Sequence, residues 1–195
     1  MYSAFEFDRY YLRRQVLALT GKFRIYSPDG QLLLYSQQKM FKLKEDIRVY
    51  SDENKSQELL FIKARNIIDF AASYDVVDSM SSMKVGVLRR KGFRSILRDE
   101  WELLDANDQH LGILLEDSIA QALLRRFFLG RFLPQNYDII LHENRVADLR
   151  QTFNLIRYEL KLDFSMDASH LLDRRLGIAA GILLGIVEGR QKDYD

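Results

Sequence analysis

Residues 176–190 read LGIAAGILLGIVEGR, with twelve apolar residues in a row from Leu176 to Val187 and glycine at positions 177, 181, 185 and 189. On a helix, a step of four places Gly177, Gly181, Gly185 and Gly189 on one stripe. Few fates are open to such a segment. At about 1.5 Å per residue, twelve residues reach roughly 18 Å, well short of a hydrocarbon core about 30 Å thick. Extension meets Asp173, Arg174 and Arg175 on one side and Glu188 and Arg190 on the other, all costly at membrane depth. A helix that is apolar all round and too short for lipid is predicted to lie inside protein. Glycine costs a helix roughly 1 kcal/mol relative to alanine, so a wall packed closely on the stripe is the expected compensation. The same spacing also serves helix–helix contacts in membranes, which is the competing reading. Asp167 or Ser169 is a candidate cap, Asp173 is expected in the first turn, and Arg190 and Lys192 end the helix in the order its dipole favours.

What surrounds this helix is read from the rest of the chain. Two prolines and no Ser/Gly-rich linker among 195 residues predict one domain over 1–195, of a size that buries roughly 70% of its unfolded surface. From Val16 to Asp117, short β-rich runs alternate with turn signals: SPDG (27–30), SDENKS (51–56), DSMSSM (78–83), Lys91-Gly92 and DANDQ (105–109). That is the spacing of an antiparallel meander. Residues 39–46 fit a strand or a short helix. Helical spacing over 118–132 predicts an amphipathic helix ended by Pro134. Strand candidates follow at 137–142, 145–151 and 153–164, with Glu143-Asn144 as the turn between the first two.

Residues 74–117 resemble the LURP-one-related family and its phospholipid-scramblase relatives. The resemblance is carried by Asp78 before a tight turn, by VGVLRRKG (85–92), by RDEW (98–101) and by Asp105 in the next turn. FRIYSPDGQLLLYS (23–36) is similar to the family's first hairpin, and the order of elements extends the likeness from about Val16 onward. The resemblance implies the tubby C-terminal-like fold: a closed antiparallel barrel of about twelve strands around one central hydrophobic C-terminal helix. Two departures are visible. Met80, Ser81 and Ser82 stand where relatives often have glycine. The segment before the last helix offers only scattered Asp163, Asp167 and Asp173, so a calcium site of the scramblase kind is not carried over.

Charge narrows the function. Twenty-nine Lys and Arg against 28 Asp and Glu give a net charge of +1, so nothing global marks a nucleic-acid binder and any electrostatic role is local. Residues 84–98 hold Lys84, Arg89, Arg90, Lys91, Arg94 and Arg98 without an acid; residues 99–117 hold seven acids without Lys or Arg. A two-residue turn at Lys91-Gly92 sets Arg89 opposite Arg94, an arrangement that needs compensation. One reading supplies it from the acidic strand, for example Lys84 with Asp99. The other makes Arg89, Arg90, Lys91, Arg94 and Arg98 a rim that holds an anion such as a phosphate-bearing headgroup. Phosphoinositide binding by tubby-type domains lends the second reading support by analogy alone.

Chemistry signals are sparse. His110, His142 and His170 lack paired-ligand spacing, Ser79, Ser81 and Ser82 read as turn residues, Trp101 as core or barrel end, and Arg125-Arg126 and Arg174-Arg175 as solvated helix faces or end positions. No cysteine occurs and the N-terminus has no apolar leader, so a cytoplasmic location is expected, with peripheral membrane association as its lipid-bound form. The expectation is a non-enzymatic, cofactor-free domain whose partner is an anionic lipid headgroup at a membrane surface. The alternatives are a protein-interaction scaffold without lipid binding and a scramblase-like lipid translocator.

Overall fold

The computed structural model describes residues 2–15, 20–39, 47–66, 72–91, 100–116, 135–152 and 157–191. A 3-10 turn (Ser3–Phe5) leads into β1 (Arg9–Gln15), and eleven more strands follow: β2 (Thr20–Tyr26), β3 (Leu32–Lys39), β4 (Ile47–Tyr50), β5 (Glu58–Asn66), β6 (Ser73–Asp78), β7 (Lys84–Arg90), β8 (Glu100–Leu104), β9 (His110–Glu116), β10 (Asn136–Leu141), β11 (Asn144–Thr152) and β12 (Arg157–Asp163). Each pairs antiparallel with its neighbours in sequence, and β1 pairs with β12, from Arg9↔Asp163 to Gln15↔Arg157, to close a twelve-stranded barrel. The helix α1 (Arg174–Gln191) is the last element. This is the architecture that the family resemblance implied. The 118–132 helix, the 39–46 alternatives beyond Lys39, and Arg125 and Arg126 fall outside the described residues.

Closure explains why the strands alternate. Inward positions such as Leu12, Ile25, Leu34, Val49, Leu60, Val76, Leu88, Leu103, Leu114, Ile139, Leu149 and Leu160 are fully or almost fully buried, and the residues between them lie on the outer face, some of them, such as Leu59 and Val87, buried as well. The lumen is filled by α1, whose Leu176, Ile178, Ala179, Ile182, Leu183 and Leu184 are buried all round the helix. Each fully buried Leu or Ile contributes about 1.5–3 kcal/mol, which outweighs the helix cost of the glycines.

The glycine stripe lies against β12. A Cβ on Gly177 would stand 2.5 Å from the Phe164 ring, one on Gly181 3.0 Å from Leu162, and one on Gly185 3.2 Å from the Tyr158 ring and 2.8 Å from that of Phe23. Four helical residues rise about 6 Å and two strand residues about 6.6 Å. Gly177 therefore meets Phe164 just past β12, Gly181 lies over Leu162 and Leu160, and Gly185 reaches Tyr158, with helix and strand running in opposite directions. Gly189 lies on α1, and its surroundings fall outside the described side chains.

One strand is added to the expected set, and two local expectations are corrected. Arg9–Gln15, unassigned from sequence, is the strand that closes the barrel. Its inward position Arg14 is buried among aromatic rings, 6.0 Å from the Phe23 centroid and 5.7 Å from that of Tyr158, and this polar residue hides the apolar alternation. The β10–β11 turn is His142-Glu143, both left-handed (φ 46° and 69°), with Asn144 already paired to Leu141. The cap of α1 is Asp173, whose Oδ1 accepts the Arg175 N–H at 2.9 Å; neither Asp167 nor Ser169 takes that role.

Candidate functional site

An up-and-down barrel has two unlike ends. Seven segments sit at the end where α1 begins: residues 2–8, 27–31, 51–57, 79–83, 105–109, 142–143 and 164–173. They contain ten Asp and Glu and a single Lys. Among the described residues, the strands, Lys91 just past β7 and α1 hold 20 Lys and Arg but 11 Asp and Glu. Among the described residues, a chain of net charge +1 is thus charge-polarised, acidic in the segments at the end where α1 begins and basic over the strands.

The basic strand β7 runs toward the second end, and its pleat divides the residues that the sequence grouped. Both edges of β7 are occupied: Arg89 pairs with Ser73 of β6 and Glu102 of β8, and Arg90 with Trp101. Pairing continues past the strand, since the Lys91 N–H donates to the Glu100 carbonyl at 3.0 Å. Both cross-strand positions of Arg89 are thus taken, by Ser73 and Glu102, which leaves none for the pairing with Arg94 expected from a turn at Lys91-Gly92. Arg89 and Lys91 point outward. Arg90 alternates with them, on the same side as buried Leu88 and Trp101. Arg94, Arg98 and Asp99 lie outside the described residues.

The acidic strand supplies the compensation for β7. Lys91 Nζ lies 2.9 Å from Glu100 and 3.3 Å from Glu102, and these carboxylates, Glu100 first, raise its pKa. Arg89 is 3.5 Å from Glu102 with 44% of its side chain exposed. Lys84 pairs with Asp108 at 3.2 Å. Of these cations, Arg89 has the longest ion pair and the most exposed side chain, so it is the one best placed to exchange its partner for an external anion.

At the acidic end the charges serve the fold. Arg174, expected on a solvated helix face or at a helix end, is the first residue of α1 and is buried. Its Nη1 donates to Asp167 Oδ2 at 2.8 Å and to the Leu172 carbonyl at 3.1 Å, its Nη2 lies 3.3 Å from Asp8 and 3.3 Å from His170 Nδ1, and its guanidinium sits over the Phe164 ring. Arg175 bridges Asp173 and Asp78 of β6, reaching the latter at 2.6 Å. Asp78 also accepts the N–H groups of Met80 and Ser81. The start of α1 is thus clamped to the N-terminal segment, to its own approach loop and to the far wall. Asp167, His170 and Leu172 lie within seven positions of Arg174, but Asp8 lies 166 away, and nothing in the sequence shows that the barrel closes over this group. Asp163, Asp167 and Asp173 are each engaged by an arginine. Among the described residues, no group of three or more His, Asp or Glu side chains could hold a metal ion.

A closed twelve-stranded barrel threaded by its own C-terminal helix defines the class. Within that class, a model of the LURP-one-related family matches residues 32–185, most of the chain, and the protein belongs to this family. The match begins at β3, so β1 and β2 precede it. No curated protein and no solved structure matches the chain. Among the described residues, no helix is long and apolar enough to cross a membrane.

Proposed function

We propose that this barrel is a non-enzymatic domain that binds anionic phospholipid headgroups, or a similar phosphate-bearing ligand, at a membrane surface. The observation that carries this reading is the charge polarity. A negatively charged surface repels the acidic turn end and attracts the basic strands. Arg89, exposed near the end of β7, supplies a guanidinium suited to a phosphate fork, with Arg90 and Lys91 beside it in the chain. The reading places the protein in the cytoplasm or peripherally on its membranes, and it needs no cofactor.

Co-sedimentation with vesicles tests it. Recovery is expected with phosphatidylserine- or phosphoinositide-bearing vesicles but not with neutral ones, falling steeply as salt is raised and at least threefold on R89A. Equal recovery on both vesicle types, unchanged by R89A, contradicts the proposal and favours a scaffold role. Translocation is separable from binding. It requires α1 to leave the lumen, and the expected result of a dithionite-quench assay is no added flip-flop.

A further inference from the structure

The acidic end carries a second feature that the lipid reading does not use. Among the described residues, four large hydrophobic side chains are exposed: Met80 (60%), Met83 (69%), Met166 (41%) and Leu171 (49%). All four lie on connections of this one end, two in the β6–β7 turn and two in the loop between β12 and α1. The fold does not need Met80 and Met83. The turn that bears them is held by other groups: Asp78 Oδ1 accepts the N–H groups of Met80 and Ser81 at 2.9 and 2.8 Å, the Asp78 N–H donates to the Met83 carbonyl, and Arg175 ties Asp78 to α1. A fixed backbone thus presents two unbranched, polarisable side chains to solvent, a form of apolar surface that adapts to what it meets.

In barrel order this turn stands between the β4–β5 turn (51–57) and the β8–β9 turn (105–109). Each neighbour contributes a carboxylate that meets no cation among the described residues. Asp52 accepts from Ser51 and Ser56, and Asp105 accepts the N–H groups of Asn107 and Gln109. The Ser56 and Ser51 hydrogen bonds hold the exposed Asp52 ionised, with its pKa lowered. Apolar side chains between two uncompensated carboxylates select by charge as well as by area. An anionic membrane is repelled, an acidic protein is repelled, and a cationic apolar segment is matched on both counts.

We propose that the β6–β7 turn, between Asp52 and Asp105, is the docking surface for a basic amphipathic segment of a partner protein. Aliphatic side chains of that segment cover Met80 and Met83, while its lysines and arginines meet Asp52 and Asp105. The surface lies at the end opposite the one assigned to lipid, so one barrel holds a membrane and a protein segment at once.

The five methionines of the chain make this measurable on the intact protein without lipid. The protein is labelled with 13C at the methionine methyls, M80L and M83L assign the two signals, and a synthetic amphipathic leucine–lysine peptide is titrated in. Saturable shifts of the Met80 and Met83 methyls are expected. Affinity is expected to fall at least tenfold when the peptide's leucines are replaced by serine, and at least fivefold in D52N/D105N. M80S/M83S, which alters only exposed side chains, is expected to bind at least tenfold more weakly with its remaining methionine signals unchanged. Stationary Met80 and Met83 signals overturn the proposal, as does equal binding of the serine peptide. Because no vesicle is present, this outcome is independent of whether the barrel binds lipid.

Discussion

Arg174 Nη1 donates to Asp167 Oδ2 at 2.8 Å, with only 6% and 1% of the two side chains exposed. Asp167 in turn accepts the N–H groups of Leu171 and Leu172, so one carboxylate fixes both the loop into the barrel and the first residue of α1. Removing one partner strands a charge away from water, which costs about 3–5 kcal/mol. D167A is expected to lower stability by that amount in urea unfolding, and R174M/D167L is expected to recover most of the loss. A D167A loss below about 1 kcal/mol contradicts the clamp.

Acid should release the same end. Burial alone raises the Asp163 pKa, but Ser165 and Lys161 outweigh it and bring it down to about 2 from the usual 3.8. Asp167 is lowered as well, burial again being outweighed by the Leu172 N–H and Arg174. A carboxylate whose folded pKa is depressed contributes stability above its unfolded value and loses it as pH falls through the folded one. Melting temperature is therefore expected to hold from neutral pH down to about 4 and to drop between about 4 and 2. D163N should make that drop shallower, and an unchanged melting temperature at pH 2.5 contradicts the assignment.

The glycines of α1 are not equivalent. A Cβ at Gly177 meets the Phe164 ring at 2.5 Å, whereas one at Gly181 meets the Leu162 Cδ2 methyl at 3.0 Å. The Phe164 ring is pinned by Tyr10 and by the Arg174 guanidinium; the Leu162 methyl sits at the end of a flexible side chain. Overpacking costs about 1–3 kcal/mol, while Gly→Ala in a helix returns about 1 kcal/mol. G177A is expected to destabilise and G181A to be close to neutral in chemical denaturation. The reverse order would place the wall elsewhere.

Ser82 adopts φ 59° in the β6–β7 turn, the left-handed region that glycine enters without a side-chain penalty. The turn keeps a glycine-type geometry although no glycine is present. S82G is expected to raise stability by about 0.5–1 kcal/mol, and a loss in the same unfolding assay would contradict this.

Much of this fold was legible because water-facing and lumen-facing residues alternate, and because LGIAAGILLGIVEGR is too short and too closely fenced by charge for a bilayer. The turns at 27–30, 51–56, 78–83 and 105–109 also announced themselves through Asp, Ser, Gly and Pro chemistry. Reading failed where a polar side chain does core work. Arg14 concealed β1, and Arg174 passed for a surface residue because the elements that close over it, β1 with its leading segment and the barrel walls, are spread along the chain. It failed again at Lys91, read as the first half of a turn although its N–H continues the ladder to Glu100. The basic run was legible as composition, but the pleat that turns Arg90 away from Arg89 and Lys91 appears only once register is known.

The central claim is that this barrel meets an anionic surface with its basic strands and keeps the acidic turn end in water. The chain has no cysteine, so single cysteines can carry a polarity-sensitive fluorophore without background. One is placed at Ser82 on the acidic end and another at Thr152, exposed at the far end of β11. With phosphatidylserine vesicles at low salt, a blue shift is predicted for the Thr152 label, none for the Ser82 label, and loss of the response at high salt. A shift at Ser82, or none at either position, contradicts the account.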